Sequence, residues 1–123
     1  MKAAVYYENG GPEVLKYEDV PDPVCHPKGV VIRVEAVSIE GGDTLNRWHG
    51  PLITKPHVVG YQAGGEIIEV GSEVTNLRVG QKVATSYNFG SHAALRAGSN
   101  RIRCQACVSH SRDVRHRDRK SVV

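Results

Sequence analysis

The sequence predicts a mainly β domain, a partly open β-barrel with one or two short helices. Short runs of apolar, β-branched and aromatic residues recur along the first three quarters of the 123 residues, and glycine- and proline-rich turns separate them. Residues 29–38 alternate apolar and polar side chains with the two-residue period of a strand. A helical period is almost absent, since only residues 42–48 have the character of a helix.

The N-terminal elements are two short strands joined by a turn. Residues 2–7 and 14–20 have the composition of strands, and Asn-Gly-Gly-Pro at positions 9–12 is a turn signal between them. Residues 21–29 contain three prolines, each of which removes a backbone donor and restricts the residue before it. We therefore expect irregular structure in that segment.

The central elements are a strand, a short helix and two further strands. One face of the strand predicted over residues 29–38 is apolar and consists of Val30, Ile32, Val34 and Ala36. In the helix predicted over 42–48, Asp43 is suited to the cap or first turn, where a carboxylate interacts favourably with free backbone amides. Residues 60–70 begin rich in glycine and continue as a strand, and residues 82–86 form another short strand.

Charge divides the chain near residue 95. Residues 1–95 contain eight Lys and Arg against eleven Asp and Glu, a balance of −3, whereas residues 96–123 contain eight against two, a balance of +6. The basic segment has few large apolar residues and no usable period, so we expect a disordered tail. Our hypothesis is that this tail is the out-of-frame or aberrant ending of a truncated reading frame, which the downstream gene sequence would test.

Composition argues against several classes of protein. The chain has no apolar run long enough for a membrane span, and its N-terminus is too polar for a signal peptide. Three cysteines without scaffold-like spacing favour the reducing cytoplasm over a secreted disulfide protein. Four histidines are scattered singly and are expected to lie at the surface or to form hydrogen bonds: His26, His49, His57 and His92.

Two further signals lie in the basic segment. Cys104, Cys107, His110 and His116 look like a zinc-binding set, but their types and spacing match no structural zinc lobe, and we interpret them as accidental. The arginines could neutralise phosphates, yet no aromatic residues are interleaved with them, so no specific nucleic-acid binding is predicted. Nonspecific, salt-sensitive adhesion is the expected behaviour of this segment.

Two glycine-punctuated segments about twenty residues apart are the most informative feature of the chain. The first is SIEGGDTLNRWHG at positions 38–50, and the second is VGYQAGGEIIEVG at positions 59–71, with VGQKV following at 79–83. Together they resemble the catalytic domain of the medium-chain dehydrogenase/reductase superfamily, in its zinc-free branch of quinone oxidoreductases and related enoyl reductases. The resemblance implies a GroES-like, alcohol dehydrogenase-like fold for residues 1–95 and an oxidoreductase function.

The chemistry of this superfamily also needs a nucleotide-binding Rossmann domain, which we expect to be absent here. A doubly wound domain needs roughly 100–150 residues, more than residues 96–123 supply. No G-x-G-x-x-G fingerprint occurs in the sequence. The resemblance implies NADPH as the cofactor, but we do not expect this chain alone to bind it.

In zinc-dependent members of the superfamily, a Cys in the first segment and a His-Glu pair in the second hold the catalytic metal. The resemblance places Ser38, Tyr61 and Gln62 at those positions. They supply no thiolate, imidazole or carboxylate, whereas a stable Zn²⁺ site needs roughly three such protein ligands. No zinc site is therefore predicted, and hydride transfer must be assisted by positioning and hydrogen bonding.

The resemblance implies two catalytic candidates beside the nicotinamide and the substrate, Glu40 and Asp43. Asp43 matches the family's Asp, whereas Glu40 stands where an Asn is usual and Leu45 where a Tyr is frequent. Structural roles remain open for both: Glu40 as a loop carboxylate that accepts hydrogen bonds from backbone amides, and Asp43 as a helix cap. The cofactor-binding candidates are Arg47, toward a phosphate, and Gln62, toward the ribose or amide of the nicotinamide. The structural alternative for Arg47 is a solvated helix residue, and the alternative for Gln62 is a bridge between two loops of the barrel.

Three functions fit these observations. The first is a truncated N-terminal domain of a zinc-independent, NADPH-dependent oxidoreductase that reduces a quinone or an activated alkene and is inactive alone. The second is a non-catalytic remnant that associates with full-length relatives, and the third is a small interaction protein that uses its basic tail. We favour the first. It implies a small-molecule quinone or enone as partner, involves no membrane, and leaves homo-oligomer formation open.

Overall fold

The computed structural model describes residues 1–85, 89–99 and 103–104. Its strands are, in chain order, β1 (Lys2–Tyr6), β2 (Lys16–Asp19), β3 (Gly29–Ser38), β4 (His57–Val58), β5 (Gln62–Val70), β6 (Lys82–Thr85), β7 (Leu95–Ser99) and β8 (Arg103–Cys104). They form two antiparallel sheets, ordered β2–β1–β4 and β7–β3–β5–β6–β8. One α-helix, α1, spans Gly41–His49, and no helix of the described residues is long and apolar enough to cross a membrane. The mainly β prediction is confirmed.

The N-terminal region departs from the prediction at one point. The strand expected over residues 14–20 is shorter, because Pro12–Val14 form a 3₁₀ helix that begins with proline. The fixed φ of proline suits that first position. The Leu15 N–H then donates to the carbonyl oxygen of Pro12 at 3.2 Å, and β2 follows. The bounds of the other predicted elements differ from those observed by at most two residues.

The larger sheet continues past residue 95, where the predicted domain ends. β7 pairs with β3 from Ser99 opposite Gly29 to Leu95 opposite Arg33, and β8 pairs with Val83 and Ala84 of β6. This pairing needs no large apolar side chains, because ladder hydrogen bonds join backbone groups. Residues 105–123, with most of the zinc-like set and of the predicted basic tail, lie outside the described residues.

Residues 91–94 tie the two sheets together. Ala93 forms a bridge to Ala3 of β1. The Ala4 N–H donates to the carbonyl oxygen of His92 at 2.8 Å. The apolar core has two parts, one made of Ala3, Val5 and Ala93 and the other of Val30, Ile32, Ile67 and Val83.

A tight turn at Gly60 leads the chain from the smaller sheet into the larger one. Gly60 has a φ of +94°, in the left-handed region that favours glycine. A Cβ at this position would lie 2.2 Å from Ser91 Oγ and 2.6 Å from His92 Cδ2. The Ser91 N–H donates to the carbonyl oxygen of Gly60 at 3.2 Å. The segment that joins the sheets therefore packs directly on this glycine.

An aromatic cluster fills the space beside this turn. The ring centroid of His57 lies 5.0 Å from those of Tyr6 and Phe89, and the Tyr61 ring lies 4.8 Å from Phe89. His57, expected at the surface or in a hydrogen bond, is only 2% exposed, and its Nδ1 has no hydrogen-bond partner among the described residues. Burial lowers the pKa of His57, because the charged imidazolium would lose its hydration.

Replacing Gly60 with Ala should destabilise the fold strongly. The added β-carbon meets strain at a positive φ and overlaps Ser91, and each effect costs about 1–3 kcal/mol. We expect urea titration to show a loss of about 2–4 kcal/mol in the free energy of unfolding. Gly41→Ala is the matched control, because a Cβ at Gly41 has nothing within 4 Å. Equal losses in the two variants would contradict this packing account.

His57 should make stability depend on pH. Because its pKa is lower in the folded chain, the unfolded state binds more protons, and stability falls as the pH drops from about 6.5 toward the folded-state pKa. The His57→Phe variant keeps an aromatic ring and should lose this component of the free energy of unfolding, measured by urea titration from about pH 7.5 to pH 5. The control His49→Gln changes an exposed histidine and should retain it. A slope unchanged by His57→Phe would refute the assignment.

Candidate functional site

The two glycine-punctuated segments meet where β3 ends and β5 begins. The register of this antiparallel pair places Ser38 directly opposite Gln62. Tyr61 precedes β5, and its ring packs against the first turn of α1, since a Cβ at Gly42 would lie 3.4 Å from Tyr61 Cε2. The structure therefore brings Ser38, Tyr61 and Gln62 to one end of the larger sheet, beside the start of α1.

Asp43 occupies the first turn of α1 and is 5% exposed. Its Oδ2 accepts a hydrogen bond from the Glu40 N–H at 2.9 Å, and its own N–H donates to the Glu40 carbonyl oxygen at 3.0 Å. These bonds satisfy backbone groups that a helix start leaves without intrahelical partners. Asp43 Oδ1 is also buried, but has no hydrogen-bond partner among the described residues. The capping contact is thus present and uses only one carboxylate oxygen.

The face that α1 turns inward is its polar one. Asp43 is buried and Asn46 and Arg47 are half-buried, whereas Leu45 and Trp48 are 59% and 62% exposed. Asn46 Nδ2 donates to the Gly42 carbonyl oxygen at 3.1 Å within the helix. The apolar face of α1 is therefore left uncovered by the described part of the chain.

Asp43 lines a crevice that the aromatic cluster also lines. The crevice is too narrow to admit a water molecule, and its other lining residues are Tyr6, Asn46, His57, Val59, Gly60, Tyr61 and Phe89. Burial raises the pKa of Tyr61, and the carboxylates of Asp43 and Glu40 raise it further. Burial raises the pKa of Tyr6 as well. Both phenols are protonated at neutral pH, as tyrosines ordinarily are, and Asp43 Oδ1 on the same crevice accepts no hydrogen bond from the described residues.

The other candidates lie around this crevice. Glu40 is exposed, and its carboxylate is near enough to contribute to the raised pKa of Tyr61. Gln62 is half-buried at the start of β5. Arg47 lies one helical turn beyond Asp43, where its Nε donates to the Gly10 carbonyl oxygen at 3.2 Å and anchors α1 to the N-terminal turn. The cofactor-binding roles of Arg47 and Gln62 and the catalytic roles of Glu40 and Asp43 stay predictions.

Sequence reasoning missed two residues behind this site, Arg96 and Thr85. Arg96 is 2% exposed, and its Nη1 donates to the Tyr61 carbonyl oxygen at 2.9 Å and to Thr85 Oγ1. Burial lowers the pKa of Arg96 to about 10, so the guanidinium is still charged at neutral pH. The sequence offered no signal for this role, because Arg96 begins the arginine-rich segment and looks like the arginines that follow it.

Metal-ligand chemistry is sparse in the described residues. They contain no group of three or more His, Cys, Asp or Glu side chains that could hold a metal ion. The positions that the resemblance assigns to zinc ligands do lie together, and they carry a hydroxyl, a phenol and an amide. These neutral donors do not fit a zinc site built from thiolate, imidazole and carboxylate.

Comparison with known proteins places these features in a family. The family described as "Alcohol dehydrogenase GroES-like domain" matches residues 26–120. An L-threonine 3-dehydrogenase from Cutibacterium acnes is 34% identical over 104 residues, which cover 81% of this chain and 27% of the relative. The medium chain reductase/dehydrogenase ucsI from an Acremonium species is 31% identical over 119 residues, which cover 92% of this chain and 40% of the relative.

Solved structures agree with this placement. The quinone oxidoreductase from Pseudomonas syringae pv. tomato superposes with a TM-score of 0.80 at 29% identity, covering 84% of this chain and 33% of that one. The quinone oxidoreductase from Coxiella burnetii superposes with a TM-score of 0.76 at 31% identity, covering 85% and 37%. The chain thus spans between about a quarter and two fifths of the length of these proteins. It belongs to the alcohol dehydrogenase GroES-like domain family and, with it, to the medium-chain dehydrogenase/reductase superfamily of oxidoreductases.

Proposed function

We propose that this chain forms the substrate-side part of a zinc-independent, NADPH-dependent oxidoreductase that reduces a quinone or an activated alkene. One observation carries the proposal. The three positions that the resemblance assigns to zinc ligands meet at the end of the β3–β5 pair, and their side chains are those of Ser38, Tyr61 and Gln62. Similarity to the quinone oxidoreductases of Pseudomonas syringae and Coxiella burnetii supports the choice of substrate class.

The cofactor proposal rests on relatives and on the chemistry of the crevice. A mycobacterial protein solved with NADPH superposes with a TM-score of 0.78 at 28% identity, covering 85% of this chain and 33% of that one. The cofactor would supply the hydride. Gln62, which both donates and accepts hydrogen bonds, suits the ribose or carboxamide of a nicotinamide nucleotide. Arg47 would contribute positive charge toward a phosphate.

The residues of this chain would assist the reaction by hydrogen bonding. When a hydride adds to an enone or quinone, negative charge develops on the carbonyl oxygen, and a donor placed there lowers the barrier. The Tyr61 phenol suits this task, because a tyrosine hydroxyl is protonated at neutral pH and can donate a hydrogen bond. Asp43 Oδ1, buried without a partner among the described residues, would accept a hydrogen bond from a hydroxyl or N–H of the bound molecules, which requires the narrow crevice to widen on binding. Glu40 and Asp43 together would shape the nicotinamide side of the cleft.

A chimera tests the proposed function. In it, residues 1–99 of this chain replace the matching part of the Pseudomonas syringae quinone oxidoreductase. We expect NADPH-dependent quinone reduction, followed by NADPH absorbance, that a zinc chelator does not inhibit. Asp43→Asn should lower kcat by about 10- to 100-fold, the range for losing one placed hydrogen-bonding group in an active site.

The control for this chimera is Thr44→Val, which changes an exposed neighbour of Asp43. It should leave kcat unchanged. A chimera that binds NADPH but does not reduce quinones or enones would contradict the proposed substrate class. Chelator-sensitive turnover would contradict zinc independence. The isolated chain should show no detectable binding at an NADPH concentration of about 1 mM. One side of a cleft is expected to bind the cofactor weakly, with a dissociation constant above that concentration.

A further inference from the structure

A chain of buried hydrogen bonds connects β7 to the start of β5. Arg96 Nη1 donates to the Tyr61 carbonyl oxygen at 2.9 Å and to Thr85 Oγ1. Thr85 Oγ1 in turn donates to the Ala63 carbonyl oxygen at 3.3 Å. Arg96 is 2% and Thr85 7% exposed. The carbonyls on both sides of Gln62 are therefore held by one pair of side chains.

We propose that Arg96 and Thr85 are positioning residues that fix Tyr61 and Gln62 in the orientation their roles in the oxidoreductase site require. This inference rests on the proposed function. Neither residue lines the crevice, so both would act through the segment that they hold.

The local backbone explains why such an anchor is needed. Tyr61 follows Gly60, whose positive φ makes it a turn rather than part of a strand. On the other side, β5 begins only at Gln62. Without the bonds to the carbonyls of Tyr61 and Ala63, only the strand pairing at Gln62 and Ala63 would hold this segment, and Tyr61 lies outside that pairing. A hydrogen bond from a charged guanidinium inside a protein is among the stronger ways to prevent that motion.

The residue type also argues for a directional role. A buried guanidinium is costly to desolvate, and the lowered pKa of Arg96, about 10, reflects that cost. Filling the same space with an apolar side chain of similar length would avoid the cost. A side chain that served only to fill the core would therefore gain nothing from its charge. The guanidinium supplies several donors in a fixed geometry and so can hold two acceptors at once.

Amide hydrogen exchange on the full chain, followed by NMR, tests the proposal. In Arg96→Met, we expect exchange at the Gln62 and Ala63 amides to accelerate about tenfold or more relative to β1 amides, the factor for losing a charged hydrogen bond. In the isosteric Thr85→Val variant, we expect exchange at the same two amides to accelerate about threefold. Thr85→Ser keeps the hydroxyl and should retain the original exchange. The matched control Arg33→Met removes an exposed arginine of β3, bound to Glu66 at 3.1 Å, and should leave the Gln62 and Ala63 amides unchanged.

The Tyr61 phenol gives a second readout that a space-filling role would not change. Once the segment is released, the pKa of Tyr61, measured by NMR, should fall toward its ordinary value in Thr85→Val. The pKa of Tyr6 should stay raised, because its main cause is burial in the other sheet.

Two outcomes would overturn the proposal. One is acceleration by the same factor at all amides, which would indicate a global loss of stability. The other is an unchanged Tyr61 pKa in every variant. If Arg96→Met does not fold, the Thr85→Val and Thr85→Ser pair decides the question. Both measurements use the free chain, so they stand even if the chimera shows no reductase activity. Failure of the proposed function and failure of this inference are therefore distinguishable.

Discussion

The antiparallel pairing of β3 with β5 is the constraint on which the candidate site depends. Side chains alternate between the two faces of a sheet, so a shift of one residue would turn every side chain of β5 to the opposite face and separate Ser38 from Gln62. The register is irregular near Val34, and there Gly65 permits a close approach, since a Cβ would lie 2.0 Å from the Arg33 carbonyl oxygen. The pairing of Ser38 with Gln62 thus depends on the absence of a side chain at Gly65, three residues further along β5.

The site is also built from polar groups that a small domain does not readily bury. Asp43, His57 and Arg96 are each at least nine-tenths buried. Two of them cap or hold backbone groups, while Asp43 Oδ1 and His57 Nδ1 have no partner in the described part of the chain. Unsatisfied buried polar atoms are costly, and two of them belong to residues that line one crevice, which makes it a candidate functional site.

Much of this could be predicted from sequence because the signals are local. The strand over Gly29–Ser38 and the acidic residue opening α1 each follow from neighbours in the chain, and the resemblance then implied which segments meet. The burial of Arg96 and His57 could not be predicted, because it depends on strands distant in sequence. The extension of the sheet past residue 95 was missed for a related reason. Composition describes side chains, whereas strand pairing uses the backbone.

The outward apolar face of α1 has a practical consequence. Trp48 is the single tryptophan of the chain, and it lies on that face rather than in the core. Its indole emission therefore reports the surroundings of α1 and is a poor indicator of whether the barrel interior is intact. Conversely, any molecule or protein surface that comes to rest against the helix would exclude solvent from the indole and shift its emission to shorter wavelengths. The protein carries an intrinsic optical probe of contact at that surface, which requires no added label.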